Sequence, residues 1–167
     1  MRGPDQAPAP LADATAFRFA VIVSRFNETV TGSLRDAATA ALQEAGASDV
    51  QVFPVPGAFE IPQAARAAAE TGRFDAIVCL GCVIRGETPH FDYLASAVAH
   101  GISDAAGDTG VPMAFGVLTT DTVEQAAARS GPGADNKGRE AAAAAIEMAA
   151  LYRTLSGPPQ RPFGFRV

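Results

Sequence analysis

Four short apolar runs alternate with segments of helical periodicity along this 167-residue chain. Strands buried on both faces form nearly continuous apolar runs, and parallel strands need a crossover segment such as a helix between them. The alternation therefore predicts an α/β fold: a three-layer αβα sandwich around a doubly wound, four-stranded parallel sheet. The apolar runs are "FRFAVIVS", "DVQVFPVPG", "DAIVCLGCVI" and "VPMAFGVLTT"; the helical segments are "TGSLRDAATAALQEAG", "AFEIPQAARAAAETG", "PHFDYLASAVAHGISDAAGDTG", "TVEQAAARSG" and "NKGREAAAAAIEMAALYRTL".

Polar and aromatic residues that are unusual in turns follow each apolar run. The four strand ends contain "SRFNE", "VPGAFE", "CVIRGETPH" and "GVLTTD". Ligands of open parallel sheets bind beyond the carboxyl ends of the strands, where the connecting loops gather. The sequence therefore predicts a binding site built from these four stretches.

The stretch Arg85-Gly86-Glu87-Thr88 lies between a strand end and a helix start. Free backbone N–H groups, the helix dipole and the Thr88 hydroxyl at such a position suit a bound phosphate, and glycine lets the ligand approach the backbone closely. An ordinary helix N-cap with Pro89 near the first helical position accounts for the same residues.

One histidine follows this stretch directly. His90 at the mouth of a phosphate subsite is suited to proton transfer near neutral pH, although a helix-start histidine bonded to the backbone is an equally good interpretation. At ~100° per residue, His100 lies roughly 80° around the same helix and about three turns away, so we expect a structural role for it.

Two other strand ends offer groups for an organic ligand. Phe26 and Asn27 could stack on and hydrogen-bond a flat heterocycle, and the alternative is a core phenylalanine beside a capping asparagine. Glu60 and the backbone around it suit a polyhydroxyl chain, and the alternative is a helix-start glutamate that interacts with the helix dipole.

The charge composition limits the possible partners. The formal net charge of −5 argues against general nucleic-acid binding, which needs a concentrated basic face. Of the 13 basic residues, twelve are arginine and one, Lys137, is lysine. Either a compact ammonium group is required at that position or the singularity is chance.

Cys79 and Cys82 form a CxxC motif inside an apolar strand. Residues three apart in a strand point to opposite faces of the sheet, and the sequence has no second CxxC. We expect buried, inert thiols and no metal site.

The composition also predicts the organisation of the chain. With 48% apolar and 19% charged residues and no apolar stretch of roughly 20 residues, the chain is expected to be globular and cytoplasmic, without a membrane span. We expect a flexible lead over residues 1–16, one domain over 17–155 and a proline- and glycine-rich tail over 156–167.

Five ordered stretches together resemble the lumazine synthases, the penultimate enzymes of riboflavin biosynthesis. They are "SRFNE", "VPGAFEIP", "VIRGETPHFDY", "PMAFGVLTTDTVEQAAARSG" and "NKGREAAAAAIEMA". The resemblance runs from about Phe17 to Leu155. It implies a flavodoxin-like fold and the condensation of 5-amino-6-(D-ribitylamino)uracil with 3,4-dihydroxy-2-butanone 4-phosphate to 6,7-dimethyl-8-ribityllumazine.

The resemblance also implies a role for each site residue. It makes His90 the proton-transfer residue and the others substrate-binding residues. For the uracil substrate, it implies that Phe26 stacks on the pyrimidinedione with Asn27 nearby, that Val83 and Ile84 line the ring pocket, and that Ala58, Phe59 and Glu60 hold the ribityl chain. For the second substrate, it implies that Gly86, Glu87 and Thr88 hold the phosphate. Three further residues, Phe115, Arg129 and Lys137, come from the neighbouring subunit.

Two positions depart from the family pattern. Glu87 is acidic beside the implied phosphate subsite, so we expect it to act through its backbone N–H. Pro132-Gly133 replaces a threonine-lysine pair that is common in this loop, which concerns assembly more than chemistry. A catalytically idle flavin- or lumazine-binding paralogue and a protein that serves only as a shell are the alternatives, and the complete set of reactant contacts argues against both.

The resemblance further implies a homo-oligomer and no cofactor. Members form pentamers, and some pack twelve pentamers into an icosahedral shell of sixty subunits. The resemblance implies a pentamer, and the spacing from Arg129 to Lys137 matches the members that form the shell. Riboflavin synthase is a candidate partner.

Overall fold

The computed structural model of this chain describes residues 10–157. In that part, four strands and five α-helices alternate, which confirms the predicted α/β class. A short 3₁₀ turn, Ala58–Glu60, precedes the second helix. The strands are β1 (Arg18–Ser24), β2 (Asp49–Val55), β3 (Ala76–Ile84) and β4 (Met113–Thr120); the helices are α1 (Glu28–Glu44), α2 (Ile61–Glu70), α3 (His90–Thr109), α4 (Val123–Ser130) and α5 (Lys137–Leu155).

The sheet is parallel throughout, with the strand order β2-β1-β3-β4. The chain moves from β1 outward to β2 and then returns across β1 to β3 and β4. The order of the strands therefore reverses direction between β1 and β3, as in doubly wound flavodoxin-like folds. A ligand crevice is expected outside the carboxyl ends of these two central strands.

Helices cover both faces of the sheet. Helices α1, α4 and α5 pack on one face, around a core that includes Leu34, Leu80 and Ile146. Helices α2 and α3 pack on the other face, around a core that includes Ile61 and Ile77. The result is the predicted three-layer arrangement, in which the strands are buried on both faces and therefore lack polar alternation.

The two cysteines lie on opposite faces of β3. Cys82 packs in the α1/α5 core and Cys79 in the α2/α3 core, as the spacing of three residues predicts. Burial raises the pKa of the Cys79 thiol to about 12 and that of the Cys82 thiol to about 11. Both are free thiols and are protonated at neutral pH.

The helix boundaries differ from prediction at two N-termini. Helix α1 begins at Glu28, three residues before the predicted segment, because Asn27 takes a left-handed conformation (φ 60°) that ends the loop early. Asp121 and Glu124 have the sequence spacing of a capping box, but they do not cap α4. Thr122 caps α4 by accepting a hydrogen bond from the Gln125 N–H at 3.2 Å, while Asp121 forms an ion pair with Arg85. At the C-termini of α1 and α2, Gly46 and Gly72 have the positive φ values that a helix stop requires.

The packed chain begins before Phe17. Ala14 is buried, and its N–H donates to the Ala45 carbonyl at 2.9 Å. The boundaries at residues 17 and 155 stay predictions, and most of the predicted lead and tail lies outside the described residues. None of the helices between residues 10 and 157 is long and apolar enough to cross a membrane.

Candidate active site

A pocket of about 640 Å³ lies at the carboxyl ends of β1, β2 and β3. It occupies the crevice at the reversal of strand order, where the fold predicts a ligand. Most of the residues chosen from the sequence contribute to its wall. Those residues are Phe26, Asn27, Ala58, Phe59, Glu60, Val83, Ile84, Gly86, Thr88 and His90.

The end of β1 contributes an exposed ring and a fixed amide. The Phe26 side chain is 71% exposed, so the alternative of a core phenylalanine is wrong. Asn27 occupies the N-cap position of α1, but its side chain does not cap the helix. Its amide Nδ2 donates instead to the Cys82 carbonyl at 2.9 Å, which joins the loop after β1 to the end of β3. The Phe26 ring is thereby left beside the pocket with one face available for stacking.

After β2, the chain forms the 3₁₀ turn Ala58–Glu60, which places the Glu60 carboxylate next to the backbone of Gly57. The Glu60 atom Oε2 accepts a hydrogen bond from the Gly57 N–H at 2.8 Å. A Cβ at Gly57 would lie 3.1 Å from the same oxygen, so a larger residue there would require the Glu60 carboxylate to shift by a few tenths of an ångström. The carboxylate therefore stabilises the 3₁₀ turn. Glu60 is also the N-cap residue of α2, as the alternative of a helix-start glutamate expects, although its side chain does not cap that helix. Its position in the pocket wall leaves Oε1 for a ligand.

The loop between β3 and α3 has unused hydrogen-bond donors. Among residues 10–157, no group accepts from the N–H of Gly86, Glu87 or Thr88, and the Thr88 hydroxyl has no partner. Pro89 is the N-cap residue of α3, without a side-chain cap. These observations disfavour the ordinary N-cap and agree with an anion subsite at the start of a twenty-residue helix.

Neither packing nor backbone conformation among the described residues requires a glycine at position 86. A Cβ there would meet nothing within 4 Å among the described residues, and its φ is not in the left-handed region. Close approach of a ligand to the backbone accounts for glycine at this position, because a side chain would occupy the space that the ligand needs.

The two histidines differ as predicted. His90 is exposed in the pocket wall, and its ring forms no hydrogen bond with any residue between 10 and 157, which excludes the backbone-bonded alternative. The His100 Nδ1 lies 2.8 Å from the Ser96 carbonyl oxygen, one turn earlier in α3, and His100 does not line the pocket.

Residues 16–153 match the family model described as 6,7-dimethyl-8-ribityllumazine synthase. This chain belongs to the lumazine synthase family. It is 53% identical over 144 residues to the 6,7-dimethyl-8-ribityllumazine synthase of Syntrophus aciditrophicus (strain SB), covering 85% of this chain and 94% of that protein. It is 56% identical over 142 residues to the enzyme of the same name from Salinibacter ruber (strain DSM 13855 / M31), covering 84% and 91%.

Solved structures add little to this assignment. A GDP-L-fucose synthetase from Naegleria fowleri bound to NADP aligns with 93% of this chain and 49% of its own, at 11% identity and a TM-score of 0.38. The chain thus spans about half the length of that protein, and a similarity this low carries no argument about fold or function.

The lumazine synthase pocket also contains four residues that the sequence reasoning missed: Gly57, Cys82, Phe91 and Leu94. Leu94 lies four positions after His90, so helical spacing from His90 could have identified it, and Phe91 lies three positions before Leu94. Cys82 could have been found from strand alternation, because it lies on the same face of β3 as Ile84. Gly57 is explained only by its contact with Glu60.

Four residues predicted for the lumazine synthase site do not line this pocket: Glu87, Phe115, Arg129 and Lys137. Phe115 lies on the edge strand β4 and is 45% exposed. The Arg129 Nη1 donates to the Gln125 carbonyl of its own helix at 2.9 Å, and Lys137 forms an ion pair with Glu140 at the start of α5. This chain by itself therefore assembles only the part of the predicted site that lies between β1, β2, β3 and α3.

The pocket wall offers organic-ligand contacts rather than metal ligands. The described residues contain no group of three or more His, Cys, Asp or Glu side chains that could hold a metal ion. Apolar side chains with an aromatic face, one carboxylate, one imidazole and free backbone N–H groups are suited to a heterocycle, a hydroxylated chain and an anion.

Proposed function

We propose that this pocket condenses 5-amino-6-(D-ribitylamino)uracil with 3,4-dihydroxy-2-butanone 4-phosphate to 6,7-dimethyl-8-ribityllumazine, the penultimate step of riboflavin biosynthesis. Membership of the lumazine synthase family supports the reaction. The single observation that carries the assignment of the site is the pocket at the strand-order reversal, which brings together residues from three strand ends that are far apart in sequence.

The uracil substrate occupies the β1 and β2 side of the pocket. Its ring stacks on Phe26 and contacts Val83 and Ile84, while Asn27 holds the loop through Cys82. Its ribityl hydroxyls bond to Glu60 and to the backbone of Ala58 and Phe59. A carboxylate that already accepts one backbone hydrogen bond is held in a single orientation, so little side-chain entropy is lost when the hydroxyls bind.

The phosphate of the second substrate binds at the loop before α3. The free N–H groups of Gly86, Glu87 and Thr88 donate to its oxygens, and the Thr88 hydroxyl adds another donor. Glu87 does not form part of the pocket wall, so its carboxylate is not directed into the cavity. Turning that carboxylate away avoids repulsion between two anions.

The chemistry needs proton transfers, and His90 is placed to make them. The 5-amino group attacks the ketone, and loss of water gives an imine. Removal of the C3 proton then expels inorganic phosphate from C4 and leaves an enol, which tautomerises to a new ketone at C3. Attack of the ribitylamino nitrogen on this carbonyl closes the ring with loss of a second water. His90 in the pocket wall moves protons to and from the reacting groups, while holding the two substrates together supplies much of the rate.

A neighbouring subunit completes the site. Phe115, Arg129 and Lys137 are directed to the pocket of the next chain, with Arg129 on the phosphate and Lys137 on the pyrimidine end. The exposed apolar side chains Phe115 and Val123 beside the β4 edge support a subunit interface there. The assembly is a pentamer, and the loop length favours the sixty-subunit shell. The cytoplasmic location and the partnership with riboflavin synthase stay predictions.

Mixing the purified protein with both substrates and following the fluorescent lumazine tests the reaction. An active lumazine synthase gives product only when both substrates are present, whereas an idle paralogue or a pure shell gives none. Sedimentation tests the assembly, because five copies of 17.1 kDa give about 86 kDa and sixty give about 1,030 kDa. A monomer that turns over both substrates would exclude the shared site.

A further inference from the structure

Arg85 has an unusual set of contacts at the edge of the pocket. Its Nε donates to Asp121 Oδ1 at 2.8 Å, and its Nη1 and Nη2 donate to the two oxygens of Asp92 at 3.1 and 3.2 Å. The guanidinium also lies over the Phe91 ring, 4.2 Å from the ring centre. Each of the three guanidinium nitrogens therefore donates to a carboxylate, and the planar group is held in one orientation.

These contacts connect three elements around the predicted phosphate loop. Arg85 is the first residue after β3, Asp121 follows β4, and Phe91 and Asp92 lie in the first turn of α3. Phe91 is part of the pocket wall and is the neighbour of His90. Residues 86–88 make no backbone hydrogen bond within the described chain, so the Arg85 side chain links the two ends of a loop that is otherwise unsupported.

The geometry does not suit a direct phosphate ligand. Arg85 does not line the pocket, and two carboxylates already accept from it. Nor does it suit a mainly stabilising role. The side chains of Arg85, Asp92 and Asp121 are 43%, 62% and 65% exposed, and ion pairs this exposed contribute little to the free energy of unfolding. A displacement of about 1 Å in a catalytic group, by contrast, can lower a rate by about 10²-fold.

We propose that Arg85 is a positioning residue for the condensation, an inference that depends on the proposed function. By holding the first turn of α3 against the ends of β3 and β4, it sets the distance between the free N–H groups of the loop and the His90 imidazole. The loop N–H groups can then bind the phosphate of the butanone phosphate while the His90 imidazole contacts the reacting end of the same molecule. The bidentate contact to Asp92 is the essential part, because Asp92 lies on the helix that carries His90.

Two substitutions separate positioning from simple electrostatics. Arg85→Lys keeps the charge but loses the planar fork, and Asp92→Asn keeps the size but removes one negative charge near the phosphate subsite. If Arg85 acts by position, both variants lower kcat, by about 10-fold or more. If it acts only through its charge, Arg85→Lys resembles the wild type and Asp92→Asn lowers the KM for the anionic butanone phosphate.

Arg66 provides a matched control on the same chain. It also bonds two exposed carboxylates, Glu70 at 3.1 Å and Asp108 at 3.0 Å, and it does not line the pocket. Arg66→Lys should leave kcat and both KM values unchanged. Each variant is also compared with the wild type by thermal unfolding and sedimentation, so that a loss of fold or assembly is recognised.

The experiment is steady-state kinetics of wild type, Arg85→Lys, Asp92→Asn and Arg66→Lys with each substrate varied in turn. The proposal is supported if kcat falls by about 10-fold in Arg85→Lys and in Asp92→Asn while their Tm stays unchanged and Arg66→Lys keeps the wild-type kinetics. Wild-type kcat in Arg85→Lys, or an equal loss in Arg66→Lys, would overturn it. An inactive wild-type protein would instead overturn the proposed function.

Discussion

The pocket side of the molecule and the side formed by β4, α4 and α5 carry two halves of the predicted site, and only the first half is assembled by a single chain. On the pocket side, ten predicted residues meet in one cavity although they come from three separate strand ends. On the other side, Phe115, Arg129 and Lys137 lie in three different elements and none lines that cavity. Our proposal is that a second copy of the chain supplies these three residues to the cavity.

The glycines of the two regions show the same contrast. Gly138, beside Lys137, is required by packing, because a Cβ there would lie 2.0 Å from the Leu34 carbonyl oxygen of α1. Gly86, on the pocket side, has nothing within 4 Å of its Cβ position among the described residues. One glycine therefore serves the fold of its own chain, and the other is free to serve a ligand.

The largest effect is expected from Gly138→Ala. The added methyl group collides with backbone rather than with a flexible side chain, so α5 must move away from α1. We expect the free energy of unfolding to fall by about 3 kcal/mol or more, measured by denaturant titration. Gly86→Ala is the matched control, and equal destabilisation by both substitutions would remove the contrast.

His90→Ala tests the half of the site within the chain. We expect kcat to fall by about 10²-fold or less, because proximity of the substrates survives the loss of the imidazole. Single-turnover kinetics measure the chemical step. Since His100 does not line the pocket, His100→Ala should retain the wild-type rate, and an unchanged rate in His90→Ala would remove His90 from the mechanism.

Arg129→Ala tests the half that we assign to the neighbouring chain. A charge-assisted contact to phosphate contributes about 1.5–3 kcal/mol, so kcat/KM for the butanone phosphate should fall by about 10- to 10²-fold while the KM for the uracil changes little. An equal rise in both KM values would contradict the assignment.

A mixing experiment sharpens this prediction. Co-assembly of equal amounts of the His90→Ala and Arg129→Ala chains should restore about a quarter of the sites, because some pockets then receive both intact halves from adjacent copies. If the two halves belonged to one chain, the mixture would be no more active than the average of its components.

Gly86→Ala should act on substrate and not on stability. The methyl group has room in the free chain, but it would lie where the phosphate approaches the backbone. We expect the KM for the butanone phosphate to rise by about 10-fold with an unchanged Tm and an unchanged KM for the uracil. Wild-type kinetics would show that no ligand approaches the backbone at this position.

The smallest effect is expected from Lys137→Arg. The charge is retained, but the guanidinium is larger and has a different donor geometry, so we expect a loss of a few-fold in kcat/KM. Lys137 forms an ion pair with Glu140, which shows that it is held in place and not simply solvated. Full activity of the variant would indicate that the single lysine of this chain is a matter of chance.

Local patterns in the sequence account for the fold class and for part of the pocket, while the family resemblance supplied Ala58, Phe59, Val83 and Ile84. Apolar runs separated by helical segments predict the sheet and its two covered faces, and strand alternation places Cys79 and Cys82 on opposite sides. The rule that ligands bind at the carboxyl ends of parallel strands then places Phe26, Glu60 and His90 in one site. These predictions succeed because they depend on periodicity and connection geometry, which are properties of short segments.

Tertiary structure alone decided which groups each side chain contacts. The Asn27 amide bonds the Cys82 carbonyl, 55 residues away, and Arg85 bonds Asp121, 36 residues away. The sequence spacing of Asp121 and Glu124 suggests a capping box, but Thr122 caps α4 and Asp121 forms that ion pair instead. Such contacts depend on distances set by crossover connections and by packing of whole helices, and a local pattern of residues contains no information about those distances.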